Sequence, residues 1–147
     1  MKIALGSDHA GYEVKEKLLQ LVGSLGHECT DKGTSSTESC DYPDYALAVA
    51  KSVASGEADL GILICGTGIG MSITANRLKG IRAAKCCSEL EARLARRHND
   101  ANVLCLGART QDYDSQIVPI VKAWLESEFE GGRHARRLEK LMNIQKE

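Results

Sequence analysis

Net charge is almost absent from this chain: 19 lysines and arginines stand against 20 aspartates and glutamates, a formal −1 at pH 7. So balanced a surface has no global field to draw in nucleic acid or an acidic membrane. Long apolar runs are missing too. No stretch approaches the roughly 20 residues of a membrane span, and the apolar run in MKIALGSDHAG is too short for the core of a secretion signal. A cytoplasmic protein with no nucleic-acid and no membrane partner is expected. The six cysteines (29, 40, 65, 86, 87 and 105) include no C-x-x-C pair and mostly lie in apolar, strand-like runs. Reduced thiols therefore fit better than a disulfide framework. The four histidines (9, 27, 98 and 134) lack paired metal-ligand spacing, and no metal is expected. No internal repeat or low-complexity segment competes with a globular reading.

What is present is an alternation. The 147 residues, 43% of them hydrophobic, suffice for one domain spanning 1–147 with a real core. KIALGSD reads as a strand, and Val14, Leu18, Leu21, Val22 and Leu25 then recur at helical spacing until Gly26. HECTDKG reads as a second strand and SSTES as a polar loop. Pro43 suits the first residue of a helix carrying Leu47, Ala50, Val53 and Ala54. DLGILIC, apolar on both faces, reads as a central third strand. A glycine turn leads into the helix MSITANRL, followed by the strand IRAAKCC. Ser88 and Glu91 form a capping-box pattern for a helix ending near His98, and NVLCLG is a fifth strand. Ile117, Val118, Val121, Trp124 and Leu125 suggest another helix in which Pro119 either starts or kinks the element. After EGGRH, Leu138, Leu141 and Met142 mark a last helix, read as an arm (129–147) detached from the core by the double glycine. The expected fold is α/β: a doubly wound, five-stranded parallel sheet, Rossmann-like in three layers, with a C-terminal helical arm.

In such sheets ligands bind beyond the carboxyl ends of the strands. That rule selects Asp8 and His9 after the first strand, Cys65, Gly66 and Thr67 after the third, and Arg109 after the fifth. Gly66, Gly68 and Gly70 remove side chains where the chain bends into a helix, so backbone N–H groups can converge on an anion. The turn lacks the Gly-Lys-Ser/Thr ending of a P-loop. It also departs from the dinucleotide fingerprint, because its third glycine comes one residue early and it follows the wrong strand. Cys65 stands where a helix start favours the thiolate. It reads equally as a base and as a small buried hydrophobe, the latter being the expected state of Cys29, Cys86 and Cys105. Thr67 reads as a turn residue or as a hydroxyl aimed at a substrate oxygen. Asp8 and His9 could serve the turn itself, and His98 and Asn99 could cap their helix. Arg133 and Arg137, one helical turn apart, form a solvated face or a phosphate clamp.

Together GSDHAG, DKGT, DYPDYA, GILICGTGIGMSITANR, RHND, GAR and EGGRHARRLEKL resemble the ribose-5-phosphate isomerase B family over essentially the whole chain. That family also includes galactose-6-phosphate isomerase subunits and allose-6-phosphate isomerases, and CGTGIG and EGGRH are its specific markers. The resemblance implies a metal-free, cofactor-free aldose–ketose isomerase working through a cis-enediolate. Cys65 would be the base. Some members use a carboxylate where this chain has Met71, so the chain falls in the cysteine branch. Thr67 would polarise substrate oxygens or assist ring opening, His98 would open the furanose, and Asp8 would pass a proton between O1 and O2. The amides from Gly66 through Gly68 and Gly70 to Met71 would hold the anion. Tyr42 and Asn99 would contact hydroxyls, and His9, Arg109, Arg133 and Arg137 would hold the phosphate. The resemblance further implies a homodimer with shared active sites, the partner subunit supplying the residues matching His98, Asn99 and Arg109. It leaves tetramers, the pentose-or-hexose choice, a silent subunit and a non-catalytic phosphate- or nucleotide-binding module open.

Overall fold

Leu60–Cys65 is buried at every residue, and the sheet is built outward from it. In the computed structural model, which describes residues 1–144, five parallel strands lie in the order β2-β1-β3-β5-β4. They are β1 (Lys2–Ser7), β2 (Glu28–Asp31), β3 (Leu60–Cys65), β4 (Ala83–Lys85) and β5 (Val103–Gly107). The helices are α1 (Tyr12–Ser24), α2 (Tyr42–Ala54), α3 (Ile69–Ala75), α4 (Glu89–Asn99), α5 (Val118–Glu126) and α6 (Arg133–Ile144).

Strand alternation divides the core. Ile3, Leu5, Ile62, Ile64, Leu104 and Leu106 face α1, α4 and α5, whereas Ala4, Leu63, Cys65, Val103 and Cys105 face α2 and α3. The two-residue period of a strand thus sends the Cys65 side chain to the α2–α3 side. The chain leaves β1 in one direction toward β2 and in the other toward β3, so the switch point lies between the ends of β1 and β3.

The expected doubly wound sheet is present, with local differences. β4 is three residues long rather than the full IRAAKCC, because it is an edge strand paired only with β5. Tyr42 precedes Pro43 as the first residue of α2. Pro119 is the second residue of α5, and a π-helical turn over Tyr113–Ile117 feeds it. It lacks the N–H that a first helical turn leaves unbonded, so it starts the element without a kink. Cys29 is only half-buried, unlike Cys86 and Cys105. The arm is outside both core clusters but not detached. His134 is buried, and Leu138 and Leu141 border a cleft with Arg82 and Ala83 beside β4. Residues 145–147 of the expected arm lie outside the described residues.

Candidate active site

Cys65 ends β3 and is 5% exposed. The chain then turns through Gly68, whose φ of +80° opens α3. A β-carbon there would come within 2.9 Å of the Leu106 backbone, so both space and conformation demand glycine. The turn brings the Gly68 N–H onto the Cys65 sulfur at 3.1 Å. The Gly68 amide thus holds the sulfur in a fixed place at the end of the strand. Thr67 is exposed, and its Oγ1 accepts the Ile69 N–H at 3.2 Å, which leaves the hydroxyl proton to point outward. With these two amides turned inward, Gly70 and Met71 carry the first-turn N–H groups that have no intrahelical partner. Met71 itself is buried, so its side chain packs in the core and only its amide serves the turn. Cys86 and Cys105 are buried as well. Burial, and then the charge of Glu91, pushes Cys86 up to about 12. Burial pushes Cys105 up as well, so both stay protonated near neutral pH.

Asp8 lies one residue beyond β1 and donates its own N–H to the Ile64 carbonyl at 3.3 Å, which fixes it beside the end of β3. Its carboxylate accepts the Ala10 and Gly11 amides at 3.0 and 3.2 Å, both on Oδ1. The turn-forming role therefore holds, and it leaves Oδ2 facing other work. His9 accepts the Cys40 N–H on Nδ1 at 3.2 Å; the neutral ring then carries its proton on Nε2, a donor suited to an anion. Tyr42 opens α2 and lies flat on the glycine turn, where a β-carbon at Gly70 would come within 2.7 Å of its ring. Arg109 folds back on the turn of its own chain, its N–H on the Gly66 carbonyl at 2.9 Å and its side chain beside Gly66. The position that the resemblance draws from a partner subunit is thus also beside the turn within one chain.

His98, Asn99, Arg133 and Arg137 are elsewhere. α4 starts after the carboxyl end of β4 and runs back to the amino end of β5, which carries its last turn some 15 Å from the rim at 1.5 Å per residue. Asp100, in the left-handed conformation at φ 45°, ends the helix together with Ala101, whose N–H reaches the Ala95 carbonyl. His98 and Asn99 are therefore not needed as caps. Asn99 is exposed, and the His98 ring stacks on His134 of α6 at 4.2 Å between centroids and 11° between planes. Arg133 and Arg137 project from the same first turns of α6, exposed. One chain thus holds two groups of candidate residues, a thiol rim and a histidine–arginine face.

Sequence reasoning missed four residues here. Lys85 reaches Gln111 at 3.2 Å, and Gln111 accepts the Gly107 N–H at 2.7 Å, so the pair braces the rim from β4 and β5. Glu130 and His134 complete the other face. Their four-residue spacing within EGGRH was the available signal. His98, Glu130 and His134 bring donor atoms within 4.8 Å of one another, a proximity that the sequence distance hides. The imidazole planes are stacked and nearly parallel, so their in-plane lone pairs do not meet at one point. The cluster as it stands suits proton handling rather than ligation of one ion.

The sequence matches the Ribose/Galactose Isomerase family over residues 3–141. It is 49% identical over 144 residues to ribose-5-phosphate isomerase B of Escherichia coli, covering 98% of this chain and 96% of that one. Among solved structures, ribose-5-phosphate isomerase B of Clostridium thermocellum superposes with a TM-score of 0.97 at 51% identity, covering 99% and 98% of the two chains. The Mycoplasma genitalium enzyme, solved with bound ribulose-5-phosphate, gives 0.93 at 42% identity, covering 99% and 97%.

Proposed function

The chain belongs to the ribose/galactose isomerase family, and from that premise we propose that it interconverts ribose 5-phosphate and ribulose 5-phosphate through a cis-enediolate. It is an isomerase. The observation that carries the mechanism is the Cys65 sulfur held under the Gly68 amide at the sheet's switch point. Cys65 takes the C2 proton of the open-chain aldose and delivers it to C1. Asp8 moves the hydroxyl proton between O2 and O1. Thr67 donates to a substrate oxygen, and the amides of Gly70 and Met71 hold the developing enediolate, one such donor being worth about 3 kcal/mol in the transition state. Gly66 and Gly68 shape the turn that aims them. The transfer is redox-neutral and needs no electron carrier, and with Cys65, Asp8 and Thr67 placed to move the protons we assign no cofactor and no metal.

His98 opens the furanose ring, because imidazole exchanges protons near neutral pH. Tyr42 and Asn99 contact the sugar hydroxyls. His9 and Arg109 on the rim, with Arg133 and Arg137 on the other face, hold the phosphate, which suits planar guanidinium donors. The two groups lie far apart in one chain, and that separation supports a homodimer in which the His98 face of one subunit completes the Cys65 rim of the other. Arg109 stands beside its own turn, so it can serve the rim of its own subunit. The arm over 129–147 carries Arg133 and Arg137 and is assigned to that interface. We assign it to the pentose phosphate pathway, in the cytoplasm.

The test is the initial rate of ketose formation from ribose 5-phosphate, with allose 6-phosphate and galactose 6-phosphate alongside at equal concentration. Preference for the pentose is expected. Turnover of a hexose alone would keep the enediolate chemistry and change the substrate. No turnover of any would leave a silent subunit or a phosphate-binding module.

A further inference from the structure

Glu130 is held in place from two directions. Its N–H donates to the Arg97 carbonyl at 3.0 Å, and its Oε1 accepts from the Arg97 guanidinium at 2.6 Å. The remaining oxygen, Oε2, faces both stacked imidazoles, 3.6 Å from His134 Nε2 and 3.9 Å from His98 Nε2. One carboxylate fixed by an arginine therefore looks at two histidines whose rings touch face to face. His134 is buried at 6% exposure, whereas a third of the His98 side chain is open. The rings lie 4.2 Å apart and 11° from parallel, so His134 forms a wall along one face of the His98 imidazole.

We propose that Glu130 and His134 are positioning residues for His98, fixing the plane of its imidazole for opening the sugar ring. The inference rests on the reading of His98 as the ring-opening residue. The surrounding charges agree with it. Burial holds His134 below the ordinary histidine value, His98, Arg133 and Arg137 push the same way, and Glu130 alone opposes them. The buried ring thus favours its neutral form. Arg97 is the remaining charge in the cluster and is neutralised by Glu130.

The experiment separates ring opening from proton transfer at carbon. Ribose 5-phosphate enters as a furanose, but ribulose 5-phosphate has no free 5-hydroxyl and enters open. Solvent deuterium exchange into C1 of ribulose 5-phosphate reports enediolate formation alone. Full-length Glu130→Gln and His134→Phe, the latter keeping a ring against His98, are compared with His98→Asn in both assays. The expected result is a drop of about tenfold in kcat/KM for ribose 5-phosphate in the first two. Exchange should stay within about twofold of the parent. Equal losses in both assays, or an unchanged rate in both, would overturn the positioning role. Should His98→Asn itself keep full ribose 5-phosphate turnover, the ring-opening assignment falls first, which is distinct from a failure confined to Glu130 and His134.

Discussion

At the scale of single residues, the thiol of Cys65 is set apart from its fellow cysteines by its neighbours. Cys105 lies one strand over, fully buried, with its thiol pushed up by burial. Cys65 is nearly as buried but receives the Gly68 amide, and the chain ends its strand there. Cys65→Ala should lower turnover by about two to four orders of magnitude, the usual worth of a positioned base. Stability should change by about 1 kcal/mol or less, since one small buried side chain replaces another. A steady-state assay paired with a denaturant melt checks both. Retention of most of the rate would move the base to another group. The residue-level signal was legible in the sequence because CGTGIG is contiguous. It was ambiguous because the local pattern does not say whether a glycine amide points at sulfur or at solvent.

At the scale of elements, the alternation of strands and helices could be read because periodicity is local: β1, β3 and β5 follow directly from their apolar runs. What could not be read depends on neighbours in space. β4 is short because it lies on an edge, and β5 stands between β3 and β4 although it follows both in sequence. The His98–Glu130–His134 cluster joins the end of α4 to the start of α6, so no spacing rule finds it. Lys15 is a similar case. It lies outside the apolar positions read for α1, yet its side chain is fully buried, with Nζ 2.6 Å from Asp31 and 3.0 Å from Glu16. Burial opposes its charge, but the hydrogen bonds to Asp31 and Glu16 and their negative charges outweigh that cost and hold the ammonium above its usual 10.5. A raised amine binds its proton more tightly in the folded chain than in the unfolded one. Its contribution is therefore complete below pH 10.5 and is lost as pH rises through the folded value. Lys15→Met, which keeps the stem and removes the charge, should cost about 1–2 kcal/mol at neutral pH. It should also flatten the alkaline fall in stability, as read from denaturant midpoints between neutral and alkaline pH.

For the whole molecule, the decisive geometry is the direction of α4. A helix connecting parallel strands must return to their amino ends, so a residue in its last turn cannot sit over the carboxyl rim of the same sheet. The apolar surface agrees with a second copy bridging that gap: Ile69 and Ile73 stand 54% and 61% exposed on α3 beside the glycine turn, and Leu141 and Ile144 stand 45% and 71% exposed on α6. Two of the helices carrying candidate residues, α3 and α6, thus present uncovered hydrophobic side chains. A shared site makes a prediction that a single-chain site does not. Mixing Cys65→Ala with His98→Asn subunits creates hybrid dimers in which one site collects both defects and the other collects none. Random exchange at equal amounts puts about half the chains in hybrids, each with one intact site of two, so about a quarter of parental activity should return. The measurement is ribose 5-phosphate turnover after co-refolding two variants that are each inactive alone. Were each site built within one chain, every subunit in the mixture would carry a defect and no activity would return. Recovery therefore tests the direction of α4, the role of Cys65 and the role of His98 in one assay.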